Sequence, residues 1–216
     1  MIITIDGPAG SGKSTVADAV AEKLGVHHMQ TGLLYRAAAY ILHGKNYRFD
    51  QIAEMLKKIE YRVNGGDRAV VAVDGVDITE KLSHAEFSQP ASIISAIPEV
   101  REALLPVQKN VGENYDIVAD GRDCGSVVFP DADIKIFLTA LAEERAKRIM
   151  NDPKRKRQNL TFEEVLADVL ERDERDKNRS VAPLIIPKDA IVVDNSTFLS
   201  PEETVQKILD VIGESV

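Results

Sequence analysis

The chain has 216 residues, a mass of 23.8 kDa and a formal net charge of −8 at pH 7. That length suits a single α/β domain, and the acidic balance argues against nucleic acid, whose phosphates require a basic surface. No apolar run is long enough to cross a bilayer, and the single cysteine, Cys124, excludes an internal disulfide. We therefore expect a cytoplasmic monomer without a signal peptide, which binds neither nucleic acid nor membranes.

The first element is a short strand at residues 2–5, followed by the stretch GPAGSGKST at residues 7–15. The strand is apolar and β-branched, as buried parallel strands are. The nine residues after it contain the pattern GxxxxGK[ST], which is typical of a phosphate-binding loop, or P-loop. A helical pattern then runs to Leu24, and Gly25 stands where a left-handed C-terminal cap is expected. The predicted nucleotide-binding residues are Gly7, Pro8, Ala9, Gly10, Ser11, Gly12, Lys13, Ser14 and Thr15.

The position of this loop, between a strand and a helix N-terminus, explains why it favours anions. Backbone N–H groups and the helix dipole both point into the loop, and its glycines let the main chain wrap closely around a phosphate. Lys13 is placed to reach the β- and γ-phosphates, and the Ser14 hydroxyl is placed to ligate Mg²⁺. A chance match in an ordinary strand–turn–helix is the alternative, but the strand and the helix both stand where the pattern requires them. We therefore predict that the loop binds a nucleoside triphosphate together with Mg²⁺.

The second predicted strand, residues 26–29, is weak, and the chain after it departs from a simple βα alternation. An amphipathic helix is predicted from the spacing of Phe49, Ile52, Met55, Leu56 and Ile59. A β segment follows at 61–78, where NGG and DG are interpreted as hairpin turns. Helical stretches at 90–96 and 98–110 lead back to the sheet, and Pro106 is expected to kink or end the second one. This region is interpreted as a small β-containing insertion.

Three further strands have stronger patterns, at residues 116–120, 133–139 and 190–194. Each ends in a polar residue, as expected where the carboxyl ends of parallel strands face a ligand crevice. Helices are predicted at 142–150 and 201–212, the second with an N-cap serine followed by proline. The sum is a five-stranded parallel sheet flanked by helices.

A second departure from the βα alternation is the charged stretch at residues 150–179, with a helix that Thr161 begins and Glu164 in capping-box register. The ordinary interpretation of its basic residues is a solvated helix face. In a protein that binds a triphosphate, however, a basic lid has a use, because phosphoryl transfer needs neutralised charge and excluded water. The β-containing insertion and this charged stretch would form two arms around one P-loop, which favours a kinase. The sequence lacks the DxxG motif that is typical of GTP-dependent switches.

Five stretches together carry a resemblance to a known family, namely DGPAGSGKST, TGLLYR, PEVREALL, ADGRDCGSVVFPDADIKIFL and ERDERDKNRSVAPL. The chain resembles bacterial cytidylate kinases from residue 2 to about residue 195. The resemblance implies the α/β fold of a P-loop nucleoside monophosphate (NMP) kinase, similar to adenylate kinase. It implies a core at about 1–30, 100–148 and 180–216, a β-containing NMP-binding insertion at about 31–99 and a helical lid at about 149–179. The implied reaction transfers the γ-phosphate of ATP to CMP or dCMP with Mg²⁺.

The resemblance also implies roles for individual residues. The implied substrate-binding residues are Tyr35, Arg36, Arg122 and Arg179 for the acceptor phosphate, Ser92, Arg101 and Asp123 for the base, Arg172 and Asp176 for the sugar, and Thr31. The implied catalytic residues are Lys13, Arg122, Arg148, Arg157 and Arg179, of which Arg148 and Arg157 would hold the transferring phosphate. Cytosine suits this base set, because a carboxylate accepts from its N4 amino group while Arg and Ser donate to O2 and N3.

More ordinary interpretations exist for the same residues. The arginines would also fit a charged surface, Tyr35 would fit a packed core, and Arg172 with Asp176 would fit a simple i to i+4 salt bridge. Cys124 is expected to serve packing alone. Four histidines are expected to be structural, since they show no metal-ligand spacing: His27, His28, His43 and His84.

One residue departs from the family pattern, and two other functions stay open. Gln30 stands where family members usually carry an acidic residue, so the ordering of Mg²⁺ is an open question. The first alternative function is a kinase for another small acceptor, such as UMP, AMP or shikimate. The second is a nucleotide-dependent regulatory binding protein that hydrolyses ATP slowly.

Overall fold

The computed structural model describes residues 1–43, 45, 47–63, 69–152, 160–197 and 200–215. A five-stranded parallel sheet forms its centre, in the order β2-β6-β1-β7-β8. The strands are β1 (Ile2–Asp6), β2 (His27–Gln30), β6 (Ile117–Gly121), β7 (Ile134–Thr139) and β8 (Ile191–Asp194). The predicted parallel sheet flanked by helices is therefore confirmed.

The central strand β1 explains why this sheet is so apolar. Ile3 pairs with Val118 of β6 on one side and with Ile134 of β7 on the other. Both β1 faces are covered, and Ile3 and Ile5 have no exposed surface. Strands buried on both faces need continuous β-branched runs rather than alternation. The P-loop therefore begins at the middle of the sheet.

Helix α1 (Lys13–Leu24) follows β1, α7 (Ala142–Asn151) follows β7 and α9 (Pro201–Ser215) follows β8. Val16 and Val20 of α1 pack in one cluster with Ile208 of α9 and the sheet. Gly25 ends α1 with a φ of 66°, as the predicted left-handed cap requires.

The described residues between β2 and β6 form five helices and a small antiparallel sheet. The helices are α2 (Thr31–Leu42), α3 (Phe49–Leu56), α4 (Thr79–Leu82), α5 (Ser88–Ile94) and α6 (Pro98–Asn114), with a 3₁₀ turn at Ala85–Phe87. The strands are β3 (Ile59–Val63), β4 (Ala69–Val73) and β5 (Val76–Asp77). The predicted DG turn is confirmed, since Asp74 and Gly75 both have positive φ, as a tight hairpin turn requires. The NGG turn lies outside the described residues.

One prediction in this segment is wrong, and of the two outcomes expected at Pro106 the structure excludes the end of the helix. Ile59 begins β3 instead of continuing α3, because it pairs with Val73 of β4 and is buried there. Pro106 does not end α6, which continues eight residues further to Asn114. Pro106 is exposed, so water can satisfy the carbonyl that loses its partner, while buried Val100 and Val111 hold the helix on both sides.

Helix α8 (Phe162–Lys177) follows α7 and packs against it through Ala146, Val165 and Val169. Its predicted capping box is confirmed. The Glu164 N–H donates to Thr161 Oγ1 at 3.3 Å, and the Thr161 N–H donates to Glu164 Oε2 at 2.8 Å. Across the described ranges, no helix combines the length and apolarity of a membrane span.

Candidate active site

A cavity of about 760 Å³ opens at the carboxyl ends of β1, β2 and β6. We call the part lined by Lys13, Ser14 and Arg148 its P-loop end, and the part lined by Ser92 and Arg179 its α5–α8 end. The predicted residues in its lining are Ala9, Gly10, Gly12, Lys13, Ser14, Thr15, Thr31, Tyr35, Arg36, Ser92, Arg122, Asp123, Arg148, Arg172, Asp176 and Arg179. Four predicted residues do not line the cavity, namely Gly7, Pro8, Ser11 and Arg101. Arg157 lies outside the described residues.

The glycines of the P-loop are required by its backbone. Gly7 has a φ of 151°, and a Cβ there would lie 2.0 Å from the carbonyl oxygen of Leu138 in β7. Gly12, at a φ of 94°, immediately precedes α1. A side chain at Gly7 would push the loop away from the sheet, so the loop keeps its shape only with glycine there.

Lys13 is buried at the P-loop end, and among the described residues no carboxylate is in direct contact with its ammonium group. Its Nζ donates to the carbonyl oxygen of Pro8 at 2.7 Å. Burial lowers the pKa of Lys13 well below its usual range, and the nearby charge of Arg122 acts in the same direction, as does that of Arg172. A bound anion would reverse this effect, because it would favour the charged ammonium.

Asp120, at the carboxyl end of β6, joins the P-loop to β2. Its Oδ2 accepts a hydrogen bond from Ser14 Oγ at 2.8 Å, and its Oδ1 lies 2.9 Å from His28 Nε2. The other ring nitrogen of His28 lies 3.1 Å from Asp18 Oδ1. Burial opposes a charged Asp120, but the hydrogen bond and charge of His28 outweigh it and lower the pKa of Asp120. His28 is thus a structural histidine in contact with the candidate site.

The oxygen atoms beside Ser14 suit Mg²⁺. A hydroxyl and a carboxylate are hard oxygen ligands, and Mg²⁺ in kinases binds one or two carboxylates together with substrate phosphates. No group of three potential His, Cys, Asp or Glu ligands occurs in the described part of the chain. The remaining ligands of a Mg²⁺ ion here would therefore be water and nucleotide phosphate. Asp120 supplies a carboxylate close to the position where Gln30 lacks one.

At the α5–α8 end, Arg101 and Asp123 form a buried ion pair through Nη2 and Oδ2. Arg101 also donates to the carbonyl oxygen of Ser95 at 3.2 Å, and its guanidinium lies 5.3 Å from the ring centre of Tyr35. Burial raises the pKa of Asp123, although the Arg101 charge opposes the shift. Since Arg101 uses Oδ2, the other carboxylate oxygen remains for a ligand.

Asp176 of α8 lies among guanidinium groups, one from the turn after β6 and the others from its own part of the chain. Its Oδ2 accepts from Arg122 Nε at 2.8 Å, and its Oδ1 lies 3.6 Å from Arg179 Nη2. The buried Arg179 Nη2 has no hydrogen-bond partner among the described residues. Burial opposes a charged Asp176, but Arg122, Arg179 and Arg172 together lower its pKa. Asp176 therefore has more partners than the single i to i+4 salt bridge considered for Arg172.

Two predicted residues at the cavity wall, Arg36 and Thr31, donate hydrogen bonds to backbone carbonyl oxygens. Arg36 donates to the carbonyl oxygen of Leu82 at 2.7 Å and to Ser88 Oγ at 3.1 Å. Thr31 Oγ1 donates to the carbonyl oxygen of Asp120 at 2.8 Å. The buried Cys124 thiol lies 3.9 Å from the Thr31 hydroxyl. Burial raises the pKa of Cys124 well above its usual range, which suits the predicted packing role.

A sequence profile of the cytidylate kinase family matches residues 3–214. The chain belongs to the cytidylate kinase family. A cytidylate kinase from Fervidobacterium nodosum is 44% identical over 214 residues, which cover 98% of this chain and 96% of the relative. One from Colwellia psychrerythraea is 42% identical over 213 residues, covering 96% of this chain and 94% of the relative.

Solved structures support the fold of the family member. A shikimate kinase from Bacteroides thetaiotaomicron has a TM-score of 0.56 at 14% identity, covering 99% of this chain and 98% of that one. An uncharacterized protein from Eubacterium ventriosum has a TM-score of 0.55 at 17% identity, covering 99% of this chain and 98% of that one. At these identities the likeness concerns the fold alone, and it confirms the predicted α/β fold.

Several residues of this cytidylate kinase family member that support the P-loop were not predicted from the sequence. Asn195 donates to the carbonyl oxygen of Ser11 at 2.7 Å, and Arg148 donates to Asn195 Oδ1 at 3.0 Å. Buried Arg145 donates to the carbonyl oxygen of Ala9 at 3.0 Å and forms a bidentate ion pair with Asp173 of α8. These contacts tie α7, α8 and the chain after β8 to the P-loop. They join residues far apart in the chain, so local patterns carry no sign of them.

Buried Asp6 at the end of β1 was also missed. Its two carboxylate oxygens accept from the backbone N–H of Cys124 at 2.8 Å and of Gly125 at 2.7 Å. Burial raises the pKa of Asp6 to about 6, against the effect of these two hydrogen bonds. Asp6 thereby holds the turn that follows Arg122 and Asp123. The sequence feature that could have indicated its role is its position at the end of a strand, directly before the P-loop.

Proposed function

We propose that the protein transfers the γ-phosphate of ATP to CMP or dCMP, which yields ADP and CDP or dCDP. Membership of the cytidylate kinase family supports this reaction. The main support from the site itself comes from Arg179, which lines the cavity. Its buried Nη2 lacks a hydrogen-bond partner among the described residues. A buried guanidinium donor without a hydrogen bond is costly unless a ligand accepts from it, and Asp176 at 3.6 Å is too distant to do so. A monophosphate between Arg122 and Arg179 would supply the acceptor.

Selection of cytosine is proposed to depend on Asp123 and Ser92. Asp123 keeps Oδ1 available, which would accept from the N4 amino group of cytosine. Uracil presents O4 at this place, so its oxygen would face a buried carboxylate and repel it. Leaving such a group unpaired costs on the order of a few kcal/mol. Arg101 would keep Asp123 charged and oriented.

On the donor side, the P-loop backbone and Lys13 would bind the ATP phosphates. Lys13 now donates to the Pro8 carbonyl, so it would exchange this neutral partner for phosphate oxygens. Ser14 and Asp120 would hold Mg²⁺ or its water ligands, and the ion would neutralise charge on the β- and γ-phosphates. The roles of Arg148 and Arg157 at the transferring phosphate are proposed from the family resemblance.

The proposed transfer is in line and needs no general base. The acceptor phosphate oxygen is already anionic, so the contribution of the protein is positioning and electrostatic stabilisation. Residues of about 31–99 and about 149–179 are proposed to close over a core of about 1–30, 100–148 and 180–216, which would exclude water. A cytoplasmic monomer is part of the proposal, for which the acidic composition and the single cysteine are the support.

The decisive experiment measures ADP release with ATP and Mg²⁺ in the presence of CMP, dCMP, UMP, AMP or shikimate. We expect CMP or dCMP to accelerate ADP release far more than the other acceptors do. Preference for UMP, AMP or shikimate would replace the proposal with the corresponding kinase. ATP consumption that no acceptor stimulates would favour a nucleotide-dependent binding protein.

A further inference from the structure

We propose that Arg175 of α8 is a positioning residue for base selection, which acts by orienting the hydroxyl group of Ser92 in α5. This inference rests on the proposed function, because it concerns the same base site. Arg175 Nη1 donates to Ser92 Oγ at 3.2 Å, across 83 residues of chain. Ser92 is buried and lines the cavity at its α5–α8 end.

The hydrogen-bond chemistry of this contact determines what Ser92 can offer a ligand. A guanidinium has donors and no acceptor, so Ser92 Oγ must accept from Arg175. The Ser92 hydroxyl donates no hydrogen bond to any described residue. Its hydrogen is therefore available to the cavity, and the neighbouring positive charge makes the hydroxyl a better donor.

A donor at Ser92 favours cytosine over uracil. Cytosine presents N3 as an acceptor, whereas uracil presents an N3–H donor. If Ser92 were free to rotate, it could accept from uracil N3–H through an oxygen lone pair. Arg175 occupies one of those lone pairs and turns the hydrogen away from itself. Asp123 and Ser92 would thus discriminate at N4 and N3 through one acceptor and one donor.

A simpler interpretation is that Arg175 only forms a surface ion pair. Arg175 Nη2 does contact Glu171 one turn earlier on α8, and such exposed pairs contribute little. The two side chains differ in burial, however, since Arg175 is 25% exposed and Glu171 is 69% exposed. The Nη1 atom points to α5 instead of to solvent. Glu171 therefore provides a matched control for the ion pair.

The test is a double-mutant cycle of Arg175→Met with Ser92→Ala, measured as kcat and KM for CMP and UMP and as KM for ATP. We expect Arg175→Met to raise KM for CMP about five- to tenfold, with kcat and KM for ATP changed less than about twofold. The ratio of kcat/KM for CMP over UMP should fall. In the Ser92→Ala background, Arg175→Met should add no further change, because Arg175 acts through the hydroxyl.

Three controls separate positioning from a structural role. Glu171→Gln should leave all constants unchanged, and Arg175→Lys should restore most of the affinity for CMP because lysine still donates. The cycle is repeated with Arg175→Leu, which has no hydrogen-bond donor and keeps the comparison valid if Arg175→Met does not fold. Multiplicative effects of Arg175→Met and Ser92→Ala, an equal effect of Glu171→Gln, or an unchanged KM for CMP would each overturn the inference.

The wild-type protein separates failure of this inference from failure of the proposed function. If wild-type protein phosphorylates CMP and Arg175→Met does so with the same KM, the proposed function stands and the role of Arg175 is wrong. If CMP does not stimulate ADP release by wild-type protein, both are wrong. Calorimetric binding of CMP without ATP gives a second readout, which is expected to weaken in Arg175→Met by the same factor as KM rises.

Discussion

Asp120 accepts a hydrogen bond from Ser14 with one carboxylate oxygen and contacts His28 with the other. One carboxylate thereby links β6, the first turn of α1 and β2. Its orientation is fixed from both sides, so Oδ2 faces the hydroxyl that is expected to ligate Mg²⁺. We propose that Asp120 supplies, from a different strand, the carboxylate that Gln30 lacks.

The first prediction is that Asp120→Asn weakens the use of Mg²⁺. The amide has one oxygen and no charge, so the Mg²⁺ concentration for half-maximal ADP release should rise about tenfold or more. Titration of Mg²⁺ at fixed ATP and CMP measures this change. Asp18→Asn is the matched control, because Asp18 contacts the other side of the same imidazole. An unchanged Mg²⁺ curve for Asp120→Asn would exclude Asp120 from the metal site.

The second prediction is that Lys13→Ala lowers kcat at least about a hundredfold, since a positioned cation would no longer neutralise charge on the transferring phosphate. Folding should stay cooperative, because burial disfavours the Lys13 charge in the ligand-free protein. Steady-state ADP release and thermal unfolding measure the two effects. Lys23→Ala, on the exposed face of the same helix, should behave like wild type. Near-normal turnover of Lys13→Ala would refute the role of Lys13.

The third prediction concerns Asp123→Asn. An amide offers a donor where the carboxylate offers an acceptor, so kcat/KM for CMP should fall about a hundredfold and the preference for CMP over UMP should narrow. Arg101 would lose its ionic partner, and breaking a buried ion pair typically costs about 3–5 kcal/mol of unfolding free energy. Kinetics with both nucleotides and denaturant unfolding measure these changes. Asp131→Asn at an exposed position is the control. Unaltered selectivity would remove Asp123 from base recognition.

The fourth prediction is a pH dependence of stability that comes from His28. Burial opposes its charged form, but contacts with Asp120 and Asp18 outweigh burial and raise the pKa of His28 above its unfolded value of 6.5. A raised pKa means that His28 stabilises the fold fully below the unfolded pKa and loses this contribution as pH rises through the folded pKa. The unfolding free energy of His28→Asn should therefore fall furthest below that of wild type in acid. Urea unfolding from about pH 5.5 to about pH 8.5 measures the difference. A gap that widens with pH would contradict the assigned partners.

Local patterns were sufficient for the parts of the fold that depend on neighbouring residues. The P-loop, the Gly25 cap, the Thr161 capping box and the Asp74 turn each follow from a few consecutive residues. Pro106 does not end α6, because packing of buried residues on both sides of it overrules local propensity. Ile59 was mispredicted because its partner Val73 comes from another strand.

The candidate site was predictable where a motif names the residue, and not where a distant contact defines it. Lys13 and Ser14 belong to a pattern, whereas the importance of Asp120 depends on a contact 106 residues away. Asn195 reaches Ser11 across 184 residues, and Arg175 reaches Ser92 across 83. Such pairs become visible once the strand order and helix packing bring them together.

β1 is the middle strand of the sheet, and this position affects which parts of the chain can change in sequence. β6 lies on one side of β1 and β7 on the other. The long excursion of the chain from β2 to β6 and the one from β7 to β8 therefore lie on opposite sides of the P-loop. The excursion from β7 to β8 is bonded to the loop through Arg145 and Arg148, whereas the one from β2 to β6 contains Ser92 and Arg101. Substitutions between β2 and β6 can therefore alter the acceptor site while the contacts that hold the donor loop stay in place.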